Sequence, residues 1–394
     1  MAFAPILTRL YGPETFGLLG TFMAVLAVLT PIAALTYPVA MVLAASDQEA
    51  KKLGRISISV ACFISTIFAL IQLLAGDWLA KTLSLEAVAA YLWLIPVAML
   101  SAAIQQIFTQ WLIRKKQFYI TARIAVIQAL LVNSAKAGAG VFHPIGATLI
   151  VIASIGQAVH GLMLWLGIRN SNGTASHSDE QVIAWPELAL RYQDFPLYRT
   201  PQILINAMSI NAPIIFLAAL VGPAAAGFFS ITRSVLALPA TLMSNSVKDV
   251  LYPKAVEARS NGQSMSSLLI KATVGLSVLG LPPLVMITVF GPTLFGFVFG
   301  DSWEISGHYA RWLAIFMYFN LVNAPSVSIV PVLQLERWAL WHSILSAVMR
   351  ISGLVLGFYI FGDGIGAIAV FSILGAACYI YLILKVWLVT KIND

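Results

Sequence analysis

Eleven long apolar runs occupy most of the chain, and this pattern constrains the fold more than any other feature. A helix needs about 20 apolar residues to cross the hydrocarbon of a bilayer. The runs are too long and too uniformly apolar for barrel strands, so they predict an all-α polytopic membrane protein. The predicted spans are Phe16–Ala45, Ile56–Ala75, Leu92–Ile113, Tyr119–Val141, Ile145–Gly167, Pro201–Leu220, Ala225–Val247, Leu268–Phe290, Tyr309–Leu335, Trp338–Phe361 and Ile365–Leu388.

The composition agrees with a membrane location and argues against nucleic acid as a partner. Charged residues make up only 10% of the chain, against about 25% in soluble domains. The net charge of +7 comes from Lys and Arg in short loops, which is typical of orientation signals and not of a basic binding face. Cys62 and Cys378 both fall within spans, so we expect no disulfide, metal site or cofactor.

The loop charges predict how the chain is oriented. Seventeen basic residues fall in alternate loops, while the opposite loops hold only three, which are Arg9, Lys81 and Arg311. Basic loops stay on the cytoplasmic side of a membrane. The C-terminus, which follows Lys385 and Lys391, is therefore predicted to be cytoplasmic.

A matched pair of turns indicates an internal repeat. Gly12-Pro13-x-x-x-Gly17 recurs as Gly222-Pro223-x-x-x-Gly227, 210 residues later, and both are followed by a span, a basic loop and a further span. We therefore expect two six-helix bundles, with Met1–Leu10 as the remnant of a truncated first helix. The alternative is a native eleven-helix protein in which Met1–Leu10 lies at the membrane interface.

The repeat divides the chain into three predicted parts. They are an N-terminal helical lobe at 1–169, a cytoplasmic linker at 170–200 and a C-terminal helical lobe at 201–394. Within the linker, Trp185–Tyr198 mixes aromatic, apolar and charged residues. This mixture is typical of a segment that lies along the inner membrane surface.

The charges inside the spans all have one sign. The sixteen carboxylates lie in loops or at helix ends, whereas Lys136, Arg233 and Arg350 lie within apolar runs. An ionisable group at the bilayer centre costs about 2.5–3.5 kcal/mol unless it meets water or a partner. We therefore expect a negatively charged cargo. In the alternative reading, Lys136 reaches the outer surface and Arg350 bonds to backbone carbonyls.

Polar side chains accompany these cations on the same helix faces. His342, Ser346 and Arg350 follow an i, i+4, i+8 stripe, and Gln128 and Asn133 lie broadly on the side of Lys136. Any single amide or hydroxyl of this kind is more commonly a contact between helices. Together they predict a hydrated cavity, with these candidate substrate-binding residues: Arg350, Arg233, Lys136, His342, Ser346, Gln105, Gln128, Asn133 and Asn206.

Three segments carry a resemblance to a known family. They are Ile6–Gly17 (ILTRLYGPETFG), Trp111–Phe118 (WLIRKKQF) and Tyr192–Tyr198 (YQDFPLY). Their order and spacing resemble the polysaccharide-biosynthesis membrane proteins, the O-antigen and capsule repeat-unit flippases, whose superfamily includes the lipid II flippases and the MATE exporters.

The resemblance implies a bacterial inner-membrane protein of surface polysaccharide biosynthesis, whether the product is O-antigen, capsule or exopolysaccharide. Its cargo would be undecaprenyl-pyrophosphate-linked oligosaccharide. Its other partners would be membrane lipid and the polymerase and glycosyltransferases of the pathway. The family has no invariant catalytic motif, so the resemblance assigns no site residue.

Two other functions would each need features of their own. A MATE-type multidrug or cation antiporter usually needs a carboxylate within the membrane, and none is evident in a span interior. A membrane enzyme needs acid–base groups in a pocket at the membrane edge. The chain has no Asp-x-Asp, His-Glu-x-x-His or Gly-x-x-x-x-Gly-Lys motif, so we expect no enzymatic activity.

The charge bias predicts the outcome of a reporter experiment. Green fluorescent protein fused after Asp394 should fluoresce, and alkaline phosphatase fused there should be inactive, because that end is predicted to be cytoplasmic. As a control, alkaline phosphatase fused at His143 should be active, because this loop is predicted to lie outside. The reverse pattern of activities would overturn the orientation.

Overall fold

The computed structural model describes residues 3–171, 185–260, 264–333 and 335–393. In these ranges the regular structure is helical, because a helix satisfies its own backbone hydrogen bonds within hydrocarbon. The α-helices are α1 (Ala4–Leu10), α2 (Pro13–Ala33), α3 (Tyr37–Ala40), α4 (Asp47–Thr82), α5 (Glu86–Ala89), α6 (Ile95–Arg114), α7 (Phe118–Phe142), α8 (Gly146–Ser171), α9 (Trp185–Arg191), α10 (Thr200–Leu220), α11 (Pro223–Ser260), α12 (Met265–Phe299), α13 (Glu304–Val322), α14 (Ala324–Ile329), α15 (Glu336–Phe361) and α16 (Gly364–Asn393).

Short turns of other helix types join some of these elements. Leu92–Leu94 and Asp301–Trp303 are 3₁₀ turns that lead into α6 and α13, and Phe195–Arg199 is a π-helix that leads into α10. Counted with such extensions, eleven helices of the described ranges are long and apolar enough to span a membrane. The predicted all-α polytopic fold is confirmed.

Several helices extend beyond the apolar runs, and α4 shows why. The predicted span began at Ile56, but the helix begins at Asp47. The Ser46 hydroxyl accepts a hydrogen bond from the Glu49 amide at 3.2 Å, and the Glu49 carboxylate accepts one from the Ala45 amide at 2.6 Å. This arrangement resembles a capping box, which starts a helix independently of hydropathy.

The predicted run Phe16–Ala45 is not one continuous helix. The α2 helix ends at Ala33, and Leu35 and Thr36 adopt left-handed φ values of 47° and 53°. Pro38 has no N–H to donate to the carbonyl of residue 34, which instead accepts from the Tyr37 amide at 3.1 Å. The chain therefore breaks between α2 and α3.

The chain groups into two compact units. The N-terminal unit comprises Leu10–Asn211 and Ala218–Pro223. The C-terminal unit comprises the described residues up to Arg9, Ala212–Leu217 and the chain from Ala224 onward. The α10 helix thus contributes to both units. The predicted linker at 170–200 lies partly outside the described residues, since 172–184 are not described, and the predicted domain boundaries stay a prediction.

Close approach of α12 and α13 depends on two glycines in the C-terminal unit. A Cβ at Gly307 would overlap the backbone of Pro292, and a Cβ at Gly291 would lie 2.8 Å from the Gly307 carbonyl oxygen. Small residues allow helix backbones to approach closely where hydrophobic burial gives no driving force. This contact fixes α13 against α12.

Gly307→Ala should therefore destabilise the protein. Forcing a methyl group into this contact is expected to cost about 1–3 kcal/mol. The measurement is the thermal unfolding midpoint in detergent. Gly275→Ala on α12 is the matched control, since nothing lies within 4 Å of its Cβ position, and it should be stabilising by about 0.5–1 kcal/mol. Equal midpoints for the two variants would contradict the predicted packing.

Candidate functional site

A cleft of about 570 Å³ opens within the N-terminal unit. Clefts that hold drug-sized ligands measure about 300–1,000 Å³. Helices α2, α6, α8 and α10 and the α2–α3 break supply the walls, and seven of the fourteen lining residues are polar. These polar residues are Thr30, Thr36, Gln105, Gln106, Thr109, Gln157 and Asn206.

Helical periodicity explains which side chains meet at the cleft. On α6 the lining positions Ala102, Gln105 and Thr109 are three and four residues apart, so they share one face. On α10 the pair Ile203 and Asn206 follows the same spacing. The α2 helix presents an apolar face at Met23, Leu26 and Ala27, which lines the cleft with hydrocarbon.

The amide groups in the cleft lack protein partners. Among the described residues, the side-chain amides of Gln105, Gln106 and Asn206 have no hydrogen-bond partner, and the buried Oε1 of Gln157 has none either. An unmet hydrogen bond costs about 1–3 kcal/mol at a buried atom, which applies to Oε1 of Gln157, whereas Gln105 and Gln106 are half-buried and Asn206 is exposed. The volume of the cleft equals that of roughly 19 liquid waters at about 30 Å³ each. The cleft is therefore suited to water or to a polar ligand.

The predicted site residues of the N-terminal unit fall into two groups. Gln105 and Asn206 line the cleft. Gln128 and Asn133 donate instead to backbone carbonyls, at 3.3 Å to Gly156 and at 2.6 Å to Ala129. Lys136 on α7 is half-buried and does not line the cleft. The substrate-binding roles of these five residues stay predictions.

The predicted stripe His342, Ser346 and Arg350 lies buried on α15 in the C-terminal unit. His342 Nε2 lies 3.0 Å from the Cys378 carbonyl oxygen of α16. The imidazole also stacks on the rings of Trp338 and Tyr381, at centroid distances of 5.3 and 5.9 Å, and those two rings are 6.1 Å apart, so the three form one cluster. The His342 end of the stripe therefore faces α16.

The guanidinium of Arg350 occupies an aromatic pocket. Its side chain is 8% exposed, its Nε donates to the Ser346 carbonyl at 3.1 Å, and its Cζ lies 5.9 Å from the Phe316 ring centre. A Cβ at Gly375 would lie 3.3 Å from the Arg350 Cδ, so this glycine leaves room for the side chain. Among the described residues, the ion pairs involve Asp47 and Glu49, and none includes Arg350.

The three cations are divided between the two units. Arg233 is half-buried on α11 of the C-terminal unit, with Arg350 on α15 of the same unit, while Lys136 belongs to the N-terminal unit. The described residues that line the cleft include none of them. In the described part of the chain, no group of three or more His, Cys, Asp or Glu side chains could hold a metal ion.

The predicted site residues omit five of the seven polar lining residues, which are Thr30, Thr36, Gln106, Thr109 and Gln157. Gln106 and Gln157 are amides inside predicted spans, and that position was the available signal for them. Thr30 lies in the last turn of α2 and Thr36 in the α2–α3 break, and the nearby Pro31 and Pro38 were the available signal.

The segment that leads into α10 is hydrogen-bonded to the α2–α3 break beside the cleft. The buried hydroxyl of Thr36 lies 3.0 Å from the Thr200 hydroxyl and donates to the Phe195 carbonyl at 3.0 Å. The Tyr37 hydroxyl donates to the Ala189 carbonyl of α9 at 3.3 Å. Leu188 of α9 is fully buried in a cluster that includes Tyr37. We call the contacts of Thr36 with Phe195 and Thr200, and of Tyr37 with α9, the α9 clasp.

An ion pair completes the α9 clasp. Arg191 Nη1 donates to Oε1 of Glu49 at 3.0 Å, and Glu49 is 4% exposed. Because Glu49 also accepts from the Ala45 amide, one carboxylate joins α9 to the start of α4. Burial raises the pKa of the adjacent Tyr192 phenol, and the charge of Glu49 raises it further.

Comparison with known proteins decides the family. The family model described as polysaccharide biosynthesis protein matches residues 6–307. The chain belongs to this family. No curated protein sequence matches the chain.

Solved structures show which fold this family member adopts. The lipid II flippase MurJ, in an inward closed conformation, is 12% identical with a TM-score of 0.72 and covers 97% of this chain and 88% of its own. The eukaryotic MATE transporter AtDTX14 is 13% identical with a TM-score of 0.60, over 98% and 92%. A MATE protein in the bent conformation is 12% identical with a TM-score of 0.56, over 98% and 97%. At such identities the likeness is one of fold.

The α9 clasp predicts an energetic coupling between Glu49 and Arg191. A double-mutant cycle with Glu49→Gln and Arg191→Gln should give a coupling energy of about 1 kcal/mol or more, because the carboxylate is buried and the bond is charge-assisted. Unfolding in detergent by denaturant measures it. Arg199→Gln is the matched control for Arg191→Gln, since Arg199 bonds to Gln202 and not to Glu49. Strictly additive effects for Glu49 and Arg191 would show that the pair does not couple.

Proposed function

We propose that the protein translocates undecaprenyl-pyrophosphate-linked oligosaccharide from the cytoplasmic to the periplasmic leaflet of a bacterial inner membrane. This step supplies repeat units for surface polysaccharide such as O-antigen, capsule or exopolysaccharide. The observation that carries the proposal is the cleft of unpartnered amides inside membrane-spanning helices, in a chain of the polysaccharide biosynthesis family.

The physical argument starts from the cost of moving sugars through hydrocarbon. A hydroxyl without a hydrogen-bond partner costs roughly 4–8 kcal/mol in an alkane-like medium. A cleft of about 570 Å³ with free amides replaces some of the lost water contacts. The lipid chain needs no such help, since it stays in the bilayer. Lipid and sugar thus have different requirements, and the cleft meets those of the sugar.

The fold supports the same proposal. MurJ, whose fold the chain shares, is named for flipping lipid II, which is itself a lipid-linked saccharide. A fold alone does not establish a function. Together with membership of a polysaccharide biosynthesis family, it favours lipid-linked saccharide over other cargo.

We assign the pyrophosphate to the cations within the helices. Arg350 is the first choice, because it is buried and no described carboxylate pairs with it. Its aromatic pocket orients the guanidinium, whose terminal nitrogens present a fork that suits phosphate oxygens. Arg233 and Lys136 are the second candidates, followed by His342 and Ser346 on the same helix face as Arg350.

Export of a cation is a poorer match to the same features. The described lining residues of the cleft include no carboxylate that would attract a cationic drug. Translocation also needs no bond to be made or broken, so the proposal is for a transporter without a catalytic step. The partners would be the lipid-linked cargo, membrane lipid, and the pathway's polymerase and glycosyltransferases.

Deleting the gene should abolish surface polymer and leave lipid-linked oligosaccharide in the cytoplasmic leaflet. In complementation, Arg350→Ala should lower export at least about tenfold, since a charge-assisted contact is lost, while Arg350→Lys should retain part of it. The measurement is surface polymer normalised to the amount of protein in the membrane. Normal polymer in the deletion strain would refute the function. Normal polymer with Arg350→Ala would refute this site alone.

A further inference from the structure

The cleft in the N-terminal unit has a chemical character that distinguishes one part of the proposed cargo from another. Its polar groups are neutral, because the described lining residues are amides, threonines and apolar residues. A pyrophosphate leaving water for this cleft would find no cation there. An uncharged sugar would find groups that both donate and accept hydrogen bonds, as its own hydroxyls do.

The arrangement of the lining also matches the two-sided surface of a pyranose ring. Met23, Leu26 and Ala27 form an apolar face on α2. The amides of Gln105, Gln157 and Asn206 come from α6, α8 and α10. A pyranose presents C–H groups on its faces and hydroxyls around its edge. Amides on several helices can therefore reach different edge positions while the ring face contacts α2.

The half-buried Gln157 adds a requirement on the ligand. Its Oε1 is an acceptor that is shielded from solvent and has no partner among the described residues. When the side chain turns this oxygen toward the cleft, a ligand donor, which is a hydroxyl or an acetamido N–H, supplies the missing partner. Sites built to bond a particular hydroxyl or N–H reject ligands that lack it far more strongly than apolar pockets reject a missing methylene.

We propose that this cleft is the saccharide-recognition site and that Gln105, Gln157 and Asn206 determine which sugar the protein accepts. The inference rests on the proposed function, and it adds that the sugar is recognised separately from the pyrophosphate. Loss of one of these amides therefore changes the choice between sugars, whereas loss of Arg350 weakens binding of every pyrophosphate lipid alike.

The test measures binding of three probes to purified protein in nanodiscs by native mass spectrometry. The probes are polyprenyl diphosphate alone, the same lipid with one N-acetylglucosamine, and the same lipid with one galactose. Wild-type protein should bind one sugar-bearing probe at least about tenfold more tightly than the other. Asn206→Leu and Gln157→Leu should reduce that ratio at least about threefold and leave the affinity for bare polyprenyl diphosphate unchanged.

Matched controls separate recognition from folding. Gln72→Leu removes an amide from α4 that does not line the cleft, and it should leave all three affinities unchanged. Gln157→Glu keeps the size and acceptor atoms of the side chain, so it should retain more discrimination than Gln157→Leu. An unchanged sugar ratio in both leucine variants overturns the inference. So does an equal loss for all three probes, which would place the diphosphate in the cleft or signal misfolding.

The outcomes also distinguish this inference from the proposed function. If wild-type protein binds none of the three lipids, the proposed function fails. If it binds them and discriminates between the sugars, but Gln157→Leu and Asn206→Leu discriminate equally well, only the recognition site fails.

Discussion

The structure depends on one requirement, which is that polar groups within hydrocarbon need a hydrogen-bond partner. Many hydroxyls of the spans meet this requirement within their own helix, as Thr109 and Ser101 do by bonding to backbone carbonyls. Gln105, Gln106, Gln157 and Asn206 are the contrasting cases, because the described protein provides their amides with no partner. Other buried polar atoms without a partner among the described residues, such as Ser209 Oγ and Ser372 Oγ, lie elsewhere in the spans, whereas these four amides share one cleft.

The helix break beside the cleft has a related physical cause. Left-handed backbone at Leu35 and Thr36 is costly, of order 1–3 kcal/mol for each residue, and persists only when the surroundings hold it. The α9 clasp supplies part of that support, through the bonds of Thr36 to Phe195 and Thr200. The segment entering α10 therefore stabilises one wall of the cleft. The same α10 helix carries Asn206 in the cleft, so recognition and support share one element.

Hydropathy predicted the eleven spans because length and apolarity suffice to place a helix in a bilayer. It could not predict which way each helix face turns, since that depends on packing between helices. The stripe of His342 and Arg350 illustrates this, because its contacts are with α16 and the Phe316 ring. Gln105 and Asn206 were found from sequence as polar groups in spans, but Gln157 was missed although the same rule applies. Positive charge within the spans led to the prediction of Arg350 and Arg233 as site residues, whereas the polar residues that line the cleft are neutral.

The most direct test of the account is to identify what occupies the cleft in the membrane. A photo-crosslinking amino acid at Ile203, which lines the cleft without contributing an amide, would be activated in cells that make the polysaccharide. Mass spectrometry would then identify the adduct, with Gln72 as the comparison position outside the cleft. The account predicts a saccharide-containing adduct at position 203 and none at position 72. An adduct at 203 made only of phospholipid acyl chain, or the same products at both positions, would contradict it.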